Sequence, residues 1–109
     1  MSGSGDSTIG YVGAGGGSGS ADCRSLRLDK ALEAPDQDVV DTLARGDVLA
    51  VVLQEGPPPV VALHAPAGLA GSVVPTMRLL ECLRQGVAFE AEVQSVSGGA
   101  VRVEVRAVR

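Results

Sequence analysis

Apolar and polar residues alternate with a period of two over the last quarter of the chain. Val87, Phe89, Ala91 and Val93 stand against Ala88, Glu90, Glu92 and Gln94. After Ser97-Gly98-Gly99 the alternation resumes, with Val101, Val103 and Val105 against Arg102, Glu104 and Arg106. A period of two sends successive side chains to opposite faces of a strand, and a Gly-rich turn between two such runs makes a hairpin. Segments 87–96 and 100–108 are therefore predicted to pair, with the valine face and Phe89 in the core.

Upstream the pattern changes twice. Leu26 and Leu28 alternate with Arg27 as a first short strand. Asp47–Gln54 is a near-continuous aliphatic run between Gly46 and Gly56, too short for a helix and read as a strand. Glu55-Gly56-Pro57-Pro58-Pro59 returns the chain into Val60–His64, its hairpin partner, as a stiff loop rather than as a proline ligand for an aromatic groove. Leu69–Val74 reads as another short strand shaped by Gly68 and Gly71. The period then lengthens. Met77, Leu79, Leu80 and Leu83 form one apolar face, Arg78, Glu81 and Gln85 point away, and Cys82 lies on the flank, which predicts a helix over Thr76–Gln85 capped by Thr76 and stopped at Gly86. Asp36 as N-cap, Val39, Val40 and Leu43 on one face and Gly46 at the end predict a second helix over Gln37–Arg45. The acids Asp36, Asp38 and Asp41 then serve the cap and the helix dipole, not acid–base chemistry. The expected fold is α+β: a small, mostly antiparallel twisted sheet or partly open β-barrel of five to six strands, with a lid helix at about 76–85 and a short helix at about 37–45.

Composition narrows this to one domain. The chain has 109 residues, and residues 1–20 are mostly Gly and Ser, expected as a flexible tail before a single domain over 21–109. The glycine run Val12–Gly17 looks superficially like a dinucleotide turn, yet its third glycine position falls on a serine and no strand–turn–helix context surrounds it. Linker is the stronger reading. Cys23 and Cys82 lie far apart, without metal-ligand spacing, and read as two buried, reduced thiols. His64 has no nucleophile or carboxylate at catalytic spacing. No cofactor, metal site or catalytic constellation is expected. No apolar run approaches 18 residues and no signal-peptide pattern opens the chain, so a membrane role is not expected and a cytoplasmic setting is.

The formal charge is −4, with nine acids against four bases in residues 1–59 and four against five in residues 60–109. An acidic chain is a poor match to phosphate backbones unless arginines cluster locally.

The order hairpin, Gly68-x-x-Gly71-Ser72-Val73-Val74-Pro75, helix ending in Arg84-Gln85-Gly86, Phe89-Glu-Ala-Glu-Val, Ser97-Gly-Gly and Val101-Arg-Val-Glu-Val resembles the second half of HIRAN-type domains, over roughly Val60–Arg106. The resemblance implies a small β-barrel related to OB-like barrels and recognition of DNA ends. The chain departs from the family's polar first-half segment, which Gln54–Pro59 replaces here, and it lacks stacking aromatics for a DNA-end pocket.

Two functions follow as expectations. The first is a non-catalytic binding or adaptor module, a small subunit of a larger assembly with a protein partner, offering a solvated hairpin edge to a partner's sheet. The second is a HIRAN- or OB-like nucleic-acid-binding domain using Arg78, Arg84, Arg102 and Arg106. The arrangement of those arginines separates them: convergence on one surface favours nucleic acid, while pairing with Glu81, Glu90, Glu92 and Glu104 gives a solvated, ion-paired face.

Overall fold

A computed structural model describes residues 22–108; the expected tail over 1–20 and its glycine run lie outside the described residues. After a helical turn at 22–25 the strands are β1 (Arg27–Ala31), β2 (Val48–Gln54), β3 (Val60–Ala65), β4 (Gly68–Val73), β5 (Phe89–Ser97) and β6 (Ala100–Ala107). Helix α1 (Gln37–Val40) lies between β1 and β2, and α2 (Met77–Arg84) between β4 and β5. All six strands form one antiparallel sheet in the order β1-β6-β5-β2-β3-β4.

The sheet curls until its first and last strands meet. Just past β1, the Glu33 N–H donates to the Ser72 carbonyl at 2.6 Å, and the Ser72 N–H donates back to the Glu33 carbonyl at 3.0 Å. This bridge, with a further bond from the Asp36 N–H to the Ala70 carbonyl at 2.9 Å, joins the two edges into a partly open barrel. Gly71 makes the approach possible, because a Cβ there would stand 2.7 Å from the Glu33 carbonyl oxygen and 2.9 Å from Leu32 Cγ. No other backbone hydrogen bond crosses the seam among the described residues.

The barrel interior is filled by one alternate set from each strand: Leu49 from β2, Val61 and Leu63 from β3, Ala70 and Val73 from β4, Phe89, Ala91 and Val93 from β5, and Val101, Val103 and Val105 from β6. β1 adds half-buried Leu28, followed by buried Leu32. No polar or charged residue among the described residues is buried. Side chains of β-branched and aliphatic type suit this pleated interior, and small alanines let the wall curve inward. Phe89, expected in the core, is there.

Two elements depart from the expected pattern. The helix predicted over Gln37–Arg45 ends at Val40. Asp36 caps it by accepting from the Asp38 and Val39 N–H groups, but Thr42 and Leu43 donate three residues back, and the Asp47 carboxylate accepts from the Ala44 N–H. These local bonds tighten the chain into successive turns instead of continuing an α-helix. In α2, Thr76 accepts from the Leu79 N–H. Its buried stripe is Leu79, Leu80 and Cys82, whereas Met77, expected on the apolar face, is 70% exposed.

The reason is Cys82. It is bonded to Cys23, with the Cα atoms 5.6 Å apart, and not the free thiol expected from the sequence. The bond ties the cysteine flank of α2 to the helical turn at 22–25. Neither cysteine exposes more than 1% of its surface. The 59-residue separation between them left no local sign of the pairing.

Candidate functional site

Strand register resolves the outer wall of the barrel into cross-strand rows. One row runs Arg27, Arg106, Glu90, Ala50, His64, Leu69; the next runs Asp29, Glu104, Glu92, Val48. A third reads Val52, Ala62, Ser72 and, across the seam, Glu33. In the two rows that cross from β5 to β2 the chemistry changes there. The wall over β1, β6 and β5 is charged; the wall over β2, β3 and β4 is apolar.

On the charged wall Arg106 is the hub. Its guanidinium donates to Glu92, to Glu90 at 3.0 Å and to Glu104 at 3.3 Å, while Arg27 donates to Glu104 at 3.2 Å. Hydrogen bonds first to Glu92 and then to Glu90 push the Arg106 pKa further above its ordinary value, so it stays cationic at any working pH. Three carboxylates share one planar donor, a geometry lysine could not supply.

The four arginines proposed from the sequence as a nucleic-acid surface divide between two elements. Arg102 and Arg106 stand on β6, Arg78 and Arg84 on α2. Arg78 pairs with Asp22 at 3.1 Å, and Arg84 holds Glu55 through two bonds of 2.9 and 3.1 Å. That bidentate hydrogen bond lowers the Glu55 pKa and raises that of Arg84. Of the four, only Arg102 lacks an acidic partner within ion-pair distance among the described residues. Glu81, one of the expected partners, is in none of these pairs.

The apolar wall is the feature the sequence reading missed. Val48, Val52, Val60, Leu69 and Val74 are all exposed on it, and between them lie only Ala50, Ala62, Gln54, Ser72 and the half-buried His64. Its lower end is a groove of about 390 Å³, walled by Pro58 and Pro59 on one side and Val74 and Pro75 on the other, with Val60 and Ser72 between and Glu33 at the seam. The proline loop expected as a rigid hairpin connection thus also shapes a surface groove. A signal was present: β2 and β3 are continuous apolar runs, the pattern of strands covered on both faces. Only the inner face is covered here.

Among the described residues no three His, Cys, Asp or Glu side chains gather in a metal-holding cluster, and no helix is long and apolar enough to cross a membrane. Comparison with protein-family models, with curated proteins and with solved structures gives no significant match.

Proposed function

We propose that this chain is a non-catalytic binding module that docks a protein partner on the apolar wall of β2, β3 and β4. The observation that carries the reading is that wall: one contiguous sheet face without a charged side chain until the seam, on a protein whose remaining strand surface is dressed with ion pairs. Contiguous exposed apolar patches on small domains mark interaction sites, whereas single exposed valines carry no such meaning. A solvated charged face and an apolar face on one barrel also orient the partner, since only one side gains by losing water.

This reading stands ahead of the nucleic-acid alternative because Arg78, Arg84 and Arg106 spend their charge on Asp22, Glu55 and the three glutamates. Counterion release needs cations that meet phosphates, and a paired guanidinium must first give up its carboxylate. The disulfide favours an oxidising compartment over the cytoplasmic setting expected from the sequence. Alkylating the denatured protein with and without prior reduction checks the bond: Cys23 and Cys82 should stay unlabelled until reduced.

The test of the module is co-purification from native extract, after nuclease treatment, with the parent chain, a Val52→Asp/Val74→Asp variant and an Arg102→Ala variant. Both changed valines are exposed, so thermal unfolding should show the variant folded. Proteins captured by the parent and by Arg102→Ala, yet lost from the valine variant, support the module. Capture of the same proteins by all three chains removes the apolar wall from consideration.

A further inference from the structure

The groove at the lower end of the apolar wall has two properties beyond being apolar. The first concerns backbone direction. In an antiparallel strand the N–H and C=O of a residue point to the same side and those of its neighbour to the other. Ser72 turns both groups toward Glu33 across the seam. Val74, two residues on, stands just past the end of β4: the β3–β4 ladder ends at Val73 and no backbone hydrogen bond reaches Val74 among the described residues. A donor and an acceptor without a backbone partner among the described residues therefore stand beside the groove that Val74 lines.

The second property is charge. Glu33 sits at the seam with no cation within ion-pair distance among the described residues, and Glu90 and Glu92 border the wall on its far side, opposite Ala50 and Val48. The far border holds four acids, Asp29, Glu90, Glu92 and Glu104, against two bases, Arg27 and Arg106, so acids are in excess on both sides of the apolar wall, on a chain of net charge −4. A second copy stacked wall to wall would set acid rim against acid rim, so charge complementarity selects a different partner, apolar in the middle and basic at the ends.

We infer that the open seam accepts an extended apolar peptide segment flanked by lysine or arginine. The segment adds as a short strand beside Val74, seats one side chain between Pro58-Pro59 and Val74-Pro75, and sets a cation near Glu33. Main-chain bonds to Val74 supply affinity, and the groove and the carboxylate supply selection, the usual division of labour in strand addition. This inference rests on the binding-module reading and names the partner chemistry of the same wall.

The experiment is fluorescence anisotropy of the full, oxidised chain with a short labelled peptide of alternating valine and threonine bearing lysines at both ends. The control is the same peptide with glutamates at its ends. Lysine-ended peptide should bind at least about tenfold more tightly at low salt, the preference shrinking as salt rises. Glu33→Gln should remove about three- to tenfold of it. Val74→Pro deletes that N–H without touching the ladder and should weaken binding about three- to tenfold while leaving thermal unfolding unchanged. Equal binding of both peptides, or parent-like binding by both variants, overturns the inference. If the peptide fails to bind while Val52→Asp/Val74→Asp still loses its captured proteins, the peptide chemistry is wrong and the module stands. Sedimentation showing a dimer that Val74→Pro abolishes gives the seam to a second copy and also overturns it.

Discussion

The two halves of the barrel share an interior and differ on the outside. Both contribute fully buried aliphatic side chains to one core, Leu49 and Leu63 from the apolar half, Val103 and Val105 from the charged half. Outside, one half spends its surface residues on an Arg106-centred network and the other leaves valines to solvent. Folding needs only the inner set, because the hydrophobic gain comes from area removed from water. What stands on the outer face is free to vary with use, so the difference between the two walls is informative about function where the core is not.

The largest effects should ignore the difference. Phe89→Ala on the charged side is expected to cost about 3–5 kcal/mol and Leu63→Ala on the apolar side about 2–5 kcal/mol, measured by denaturant unfolding. A pair that differed severalfold beyond those ranges would mean that one half folds largely without the other. Next comes the seam that joins them. Gly71→Ala forces a Cβ to within 2.7 Å of the Glu33 carbonyl oxygen, and the crowding should cost about 1–3 kcal/mol, with faster amide exchange at Glu33 and Ser72 than at Val103.

Smaller effects should separate the walls. Arg106→Ala leaves Glu90, Glu92 and Glu104 close together without their shared donor, and about 1 kcal/mol should be lost at low salt, less in concentrated salt. Val52→Thr on the apolar wall should stay within about 0.5 kcal/mol at any salt. The smallest is Glu55. Its pKa in the folded state lies below the ordinary value near 4.5 because Arg84 hydrogen-bonds the carboxylate. Its contribution is therefore present above that value and fades as pH falls through the lowered one. Glu55→Gln should lower stability slightly above pH 4.5, where the charged pair is intact, and so flatten the acid side of the stability profile.

Much of the antiparallel sheet was legible, because alternation over 87–108 and the aliphatic runs at 47–54 and 60–64 report local backbone geometry. The bulge in β5 between Val93 and Ser95 was not, since it follows from pairing with β6 and leaves the alternation misaligned only at Gln94. The Glu33–Ser72 bridge was equally hidden. It joins two residues with no shared pattern, and only the missing Cβ of Gly71 hints at a close approach. The arginines were found individually but their partners were not, because Arg84–Glu55 and Arg78–Asp22 are set by how α2 lies against a loop and the helical turn. The apolar wall needed the register to appear as a wall at all.

The Cys23–Cys82 bond also decides how the domain bears load. Anything that pulls on the chain from before Cys23 meets a covalent link to α2 before it meets β1, so tension passes through the bond to Cys82 and on into β5 and β6, bypassing the strands enclosed between the two cysteines. The β2–β3 and β3–β4 ladders and the bridge at Glu33 lie off that path. With the bond in place, stretching the oxidised chain by its ends should extend it only by the segments outside Cys23–Cys82, and reduction should release the enclosed 59-residue span.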